Sequence, residues 1–158
     1  MKTILVLSDT HKNLKSIESI SGIMGECDYV VHLGDFSSDM REYKNKLGDK
    51  LTVIDGNCDF FSNGDTEKLF KIEDVTLFCC HGHKYGVKSG LDRLKAKGKE
   101  LKADLCLFGH THEATIIKEE GLQLINPGCM TQMSSQKTYC YIVINGKKII
   151  SKIVTIKS

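Results

Sequence analysis

Five stretches of the chain are apolar almost without interruption: residues 3–7, 29–33, 51–54, 75–79 and 105–108. Runs of that length without polar alternation predict strands buried on both faces. A sixth strand over 68–72 is expected to pair with 75–79 across a tight Glu73-Asp74 turn. Between the strands the period changes. Asn13 stands as a helix cap before Leu14, Ile17, Ile20 and Met24, which recur close to every 3.6 residues. A short polar helical stretch is expected over 40–47. A basic, helix-prone segment over 88–102 offers Leu91, Leu94 and Leu101 as its buried positions. Past residue 108 the pattern turns to antiparallel hairpins, with Glu120-Gly121 and Asn145-Gly146 at the turns; Asn-Gly suits a type I′ turn. Strands alternating with helices and then hairpins predict an α/β domain with a mixed sheet.

Length and composition narrow this picture without changing it. A chain of 158 residues is one domain's worth of core, so residues 1–158 are expected to form a single domain with no cap. A net charge of +2 is too small for a surface that coats nucleic acid, and no stable nucleic-acid binding is expected. Seven cysteines, with an adjacent Cys79-Cys80 pair and no Cys-x-x-Cys, fit neither a disulfide framework nor a zinc ribbon. That usage suits a reduced compartment. The apolar stretch before Asp9 is too short for a signal peptide, and no run approaches the ~20 residues of a membrane span. A cytoplasmic protein is the expectation.

The candidate chemistry sits just past each apolar run. Within about four residues of the run's end comes Asp, His or Asn: Asp9 and His11, Asp35, Asn57, His81, then His110 and His112. In open α/β sheets, sites form outside the carboxyl ends of strands, so one sheet would gather all seven side chains. Imidazole and carboxylate together are ligands for divalent transition metals. Seven donors exceed one tetrahedral ion but suit two ions sharing a carboxylate, and Asp35 is the best bridging candidate. Two divalent ions against Asp9, Asp35 and one bridging hydroxide leave about one net positive charge, which suits a phosphodiester anion.

Asp9-x-His11, Gly34-Asp35, Gly56-Asn57, His81 and Gly109-His110-x-His112, in this order, resemble the signature of the calcineurin-like metallophosphoesterases. The likeness runs from Asp9 to about Gly128. It is nearest to the small single-domain bacterial and archaeal phosphodiesterases, which share Gly-Asn-Cys-Asp, His-Gly-His and Asn-Pro-Gly stretches. The resemblance implies two mixed β-sheets packed as a sandwich flanked by helices, with a dinuclear site at one edge. It implies one metal on Asp9, His11, Asp35 and His112, and a second on Asp35, Asn57, His81 and His110. It also implies hydrolysis of phosphodiesters by a hydroxide bridging the two ions.

Cys58 departs from the wider superfamily, where a histidine at this place is thought to contact phosphate and protonate the leaving oxygen. A thiol with a reference pKa of ~8.5 is a poorer donor. Phosphodiesters are therefore expected over monoesters, with His83 as a stand-in near the phosphate. Competing readings are a phosphomonoesterase, a nucleotide pyrophosphohydrolase, a nuclease, and a non-catalytic scaffold, since a retromer subunit shares the fold the resemblance implies. The scaffold is disfavoured because no ligand is missing here. The ions would come from Mn²⁺, Ni²⁺, Fe²⁺, Co²⁺ or Zn²⁺, with Mn²⁺ or Ni²⁺ expected in vitro. The partner is a small phosphodiester, and oligomeric state stays open, a homo-oligomer included. Outside this set, the plain structural roles are expected: His32 as a buried hydrogen-bonded histidine, Asp59 as a turn or supporting residue, and Cys27, Cys106 and Cys140 as inert packing.

Overall fold

The apolar runs become strands, and the strands divide between two sheets. The computed structural model describes residues 1–157. Among them the strands are β1 (Lys2–Leu7), β2 (Tyr29–His32), β3 (Leu51–Val53), β4 (Glu67–Ile72) and β5 (Val75–Cys80). They continue as β6 (Leu105–Leu107), β7 (Thr115–Glu119), β8 (Leu122–Asn126), β9 (Thr138–Asn145) and β10 (Lys148–Thr155). The helices are α1 (Leu14–Ser19), α2 (Ser21–Glu26), α3 (Lys44–Leu47) and α4 (Asp92–Glu100).

One sheet has the order β10-β9-β1-β2-β3 and the other β4-β5-β6-β8-β7. In the first, β1, β2 and β3 are parallel, and the β9–β10 hairpin adds antiparallel to β1. In the second, β5, β6 and β8 are parallel, with β4 and β7 antiparallel at the two edges.

Burial on both faces explains the unbroken runs. Ile4 and Val6 of β1 point between the sheets, against Leu77, Leu105 and Ile125, while Leu5 and Leu7 meet Ile17 and Met24 of α1 and α2. Across the sandwich, Phe78, Cys106 and Leu124 face the other way, under Leu94 of α4. The result is four layers, helix–sheet–sheet–helix, as the resemblance implied. A single sheet, which periodicity alone suggested, is corrected: the pattern records that a strand is buried, and not which strand it pairs with.

Two helices differ from expectation. The one helix read from Asn13 onward is two, broken at Ile20, whose φ of −108° and ψ of 7° leave the helical well. Ser19, Ser21 and Gly22 around the break are weak helix formers. Leu14 is exposed rather than part of the buried stripe. Asn13 does cap α1, accepting the Ser16 N–H at 3.3 Å. The segment expected over 88–102 is helical only from Asp92, because Gly90 at φ 136° ends a short 3₁₀ turn at Val87–Ser89. Leu94 is buried there, and Leu91 and Leu101 are half-buried.

The arrangement matters for what leaves the strands. Loops from the carboxyl ends of β1, β2 and β3 in one sheet, and of β5 and β6 in the other, reach the same edge of the sandwich.

Candidate metal centre

The donors come from separate strand-end loops, those after β1 and β6 carrying two each, and the loops are tied to one another. The buried Asp9 carboxylate uses Oδ2 to accept the Ser8 hydroxyl at 2.6 Å and the His110 N–H at 3.1 Å. Its backbone N–H donates to the Gly34 carbonyl at 2.9 Å. Oδ1 is left buried with no hydrogen bond, facing His112 Nε2 at 3.2 Å, His11 Nε2 at 3.9 Å and His81 Nε2 at 3.9 Å. His11 Nε2 is likewise buried without a partner, 3.8 Å from Asp35 Oδ2. Asp35 Oδ1 accepts the Cys58 N–H at 2.9 Å and lies 3.3 Å from His81 Nε2.

His81 is buried after β5, and its Nδ1–H donates to the Leu33 carbonyl at 2.8 Å, which leaves the Nε2 lone pair aimed at the carboxylates. His110 Nδ1 stands 3.2 Å from that same Nε2.

Two groups of donors result. In Asp9, His11, Asp35 and His112, one donor atom of each lies within 4.8 Å of the others, and the same holds for Asp35, His81 and His110. Asp35 belongs to both. Buried unpartnered Asp9 Oδ1 and His11 Nε2, facing one volume lined by nitrogen and oxygen donors, fit a borderline divalent cation.

The remaining candidates sit around this cluster. Asn57 is exposed on the loop after β3, with its amide nitrogen 3.7 Å from Cys58 Sγ. Cys58 is half-buried, and burial followed by the Asp35 charge pushes its thiol up to about 11. The His83 ring lies 5.4 Å from that of His81 and 6.1 Å from that of His110, and its Nδ1 is buried without a partner. Burial and then the His81 charge hold His83 below the ordinary imidazole value.

The donors perturb each other in the directions their contacts require. Burial would raise Asp9, but the neighbouring His112 ring and the His81 charge outweigh it and hold the carboxyl low. Asp35 is held far below the carboxylate range, as His81 and Cys58 overcome its burial. His112 is raised to about 10, first by Asp9 and then by Cys129.

Asp59 and His32 take the supporting roles the sequence suggested for them, and Asn126 of the Asn-Pro-Gly stretch joins them. Asp59 accepts the backbone N–H groups of Asp35 at 3.0 Å, Ser37 at 2.9 Å and Gly56 at 2.7 Å, clamping the loop after β2 to the loop after β3. Asn126 donates to the Gly109 carbonyl at 3.0 Å and to Thr111 Oγ1 at 2.9 Å, fixing the loop that carries His110. His32 is a core residue: Nδ1 accepts the Gly34 N–H at 3.1 Å, and Nε2 donates to Thr10 Oγ1 at 3.0 Å. Glycine is required where loops pass the donors. A Cβ on Gly109 would overlap Ser8 Oγ and stand 2.8 Å from Asp9 Oδ2.

This sandwich with a histidine–carboxylate cluster at its edge defines a class, and the chain belongs to it: residues 1–148 match the calcineurin-like phosphoesterase superfamily domain. The chain is 29% identical to the probable metallophosphoesterase YsnB of Bacillus subtilis (strain 168), over 89% of this chain and 82% of that one. It is 27% identical to the phosphodiesterase MJ0936 of Methanocaldococcus jannaschii, over 78% and 81% of the two chains. The crystal structure of a predicted phosphoesterase from Streptococcus pneumoniae TIGR4 superposes with a TM-score of 0.78 at 22% identity, covering 98% of each chain. The family supports a hydrolase, and the two donor groups supply candidate metal ligands. Among the described residues no helix is long and apolar enough to cross a membrane.

Proposed function

We propose that the chain is a phosphodiesterase that works with two divalent ions sharing Asp35. The observation carrying this reading is the pair of donor groups joined at Asp35, with Asp9 Oδ1 and His11 Nε2 of the first group buried and unpartnered. Asp9, His11, Asp35 and His112 would hold one ion, and Asp35, His81, His110 and Asn57 the other. When bound, such ions supply Lewis acidity toward phosphoryl oxygen and lower the pKa of water toward ~7 from ~15.7. The chain's own groups do the rest. Asp59 and Asn126 keep the loops from drifting, and His83 faces the second donor group from a position to hydrogen-bond a phosphoryl oxygen.

Preference for diesters stems from Cys58. A thiol is a weak, ordinarily neutral donor, so the site lacks an imidazolium to hold a second phosphate charge or to protonate a poor leaving group. The relative named as a phosphodiesterase agrees with this. The donor set is intact, which favours catalysis over a scaffold.

The test is turnover of bis-p-nitrophenyl phosphate against p-nitrophenyl phosphate after loading with Mn²⁺ or Ni²⁺. The diester is expected to be at least ten-fold faster in kcat/KM, with two ions per chain by elemental analysis and activity lost on chelation. Faster monoester cleavage, or full activity at one ion per chain, would overturn the respective half of the assignment.

A further inference from the structure

Beside the candidate metal centre, a cavity of about 610 Å³ opens between the loops that leave β2 and β3. That volume is in the range of small-ligand sites. Two of its walls are shared with the centre. Phe36 lines it and packs tilted against the His11 ring with centroids 4.9 Å apart, and Cys58 lines it while its N–H holds Asp35. The cavity therefore adjoins the donor cluster directly.

The charges lining the cavity are unevenly spoken for. Asp55 is buried and accepts the Ser37 hydroxyl at 2.8 Å and the Gly64 N–H at 2.9 Å, and Asp59 serves three backbone N–H groups. Only Asp65 remains as an exposed carboxylate. Against it stand Lys12, Arg41 and Lys44, all exposed, with no carboxylate partner among the described residues; the lysine ion pairs lie elsewhere. Lys12 Nζ sits 5.8 Å over the Phe36 ring, at the border with the centre. Phe60 and Phe61 line the same cavity while 80% and 100% exposed, far more than large aromatic side chains ordinarily are.

We propose that this cavity binds the non-reacting arm of the diester, and that the arm is nucleotide-like: a planar ring stacked on Phe60 and Phe61, carrying an anionic group of its own that Lys12, Arg41 and Lys44 hold. Exposed aromatic faces stack planar rings of any base, and free lysine and arginine are the ordinary receptors for phosphate. A purely apolar arm leaves the three cations unused, and an anionic arm without a ring leaves the two phenylalanines unused. The inference rests on the phosphodiesterase reading only for which phosphate occupies the centre.

The experiment titrates the Mn²⁺-loaded protein with adenosine 3′,5′-bisphosphate and with adenosine 5′-monophosphate by calorimetry. The two probes share one phosphate and the ring, and differ in the second anion. The bisphosphate is expected to bind at least ten-fold tighter, and the gap is expected to close to about two-fold in Arg41→Ala/Lys44→Ala. Phe60→Ala/Phe61→Ala is expected to weaken both probes by a similar factor. Equal affinities in the wild type, or a gap untouched by removing the cations, would overturn the anion assignment. Self-association by light scattering that Phe60→Ser/Phe61→Ser abolishes, with probe affinities unchanged, would mark the aromatic pair as a protein contact and overturn the stacking assignment. A preparation that discriminates the probes but does not cleave bis-p-nitrophenyl phosphate would sink the proposed reaction and uphold the cavity.

Discussion

Five of the six aspartate and histidine side chains gathered at the centre hang from left-handed backbone: Asp9 at φ 53°, His11 at 42°, Asp35 at 61°, His110 at 72° and His112 at 62°. Non-glycine residues enter this region at a cost of order 1–2 kcal/mol each, so the surrounding hydrogen bonds must hold them there. The left-handed turn lets each loop reverse at once after its strand and bring its donor back over the sheet edge. Donor types were legible in the sequence because each comes within a few residues of an apolar run's end. The backbone was not, because aspartate and histidine enter the left-handed region more often than most side chains but far less regularly than glycine, so their presence alone does not mark it. A pair of variants separates ligand from strain. His110→Gly and His110→Ala both delete the imidazole, but only glycine enters φ 72° freely. In metal-free protein the glycine variant should be more stable by about 1 kcal/mol in urea unfolding, despite the ~0.5–1 kcal/mol that glycine ordinarily costs. An alanine variant of equal or greater stability would show that the backbone is not held in that well.

At the level of elements, the six strands before residue 109 were legible to within about a residue, since their runs are largely apolar and end in loop chemistry, whereas beyond them only the hairpin turns were marked. Helix extents were less so. Periodicity at Leu14, Ile17, Ile20 and Met24 marks a buried face, but it does not register that Ile20 leaves the helical well. The packing of α4 shows how local propensity and tertiary contact diverge. Gly98 lies in its interior, where alanine would be favoured by about 1 kcal/mol on propensity alone. A Cβ there would stand 2.7 Å from Cys106 Sγ on β6 and 3.3 Å from Leu122 on β8. Cys106 is fully buried, so its sulfur has nowhere to go, and overpacking of this kind costs about 1–3 kcal/mol. The steric contribution wins. Gly98→Ala is expected to lower the urea midpoint with an unchanged m-value, whereas a raised midpoint would mean that the helix rides further from the sheet than this.

Across the whole molecule, one buried histidine connects the sheet to the loops of the centre. His32 ends β2, fully buried, and starts a chain of hydrogen bonds: its Nε2–H to Thr10 Oγ1, the Thr10 hydroxyl to Asp39 Oδ2 at 2.6 Å, and the Lys12 N–H to the same oxygen at 2.8 Å. Its Nδ1 meanwhile accepts from Gly34, beside Asp35. Both ring nitrogens are used by the neutral form, so a second ring proton would break the bond to Gly34. Burial is the main reason its pKa falls from 6.5 to about 4, against the pull of Asp9 and Asp39. Proton counting gives the sign. Below 6.5 the unfolded chain takes up a proton that the folded chain refuses until about pH 4, so stability is lost as pH falls through that window. At about 1.4 kcal/mol per pH unit the loss approaches ~3 kcal/mol. His81 and His112 are raised and oppose it, so the measurement must be a difference. Urea unfolding of chelated wild type and His32→Gln at pH 7, 5.5 and 4.5 should show the variant's deficit shrinking steadily toward low pH. Where the variant unfolds too readily, the His32 ring resonances of the wild type serve instead and should not titrate above pH 5. A deficit constant across the three pH values, or a His32 that titrates near 6.5, would mean that the ring is solvated and does not couple the strand to the Gly34 and Thr10 loops.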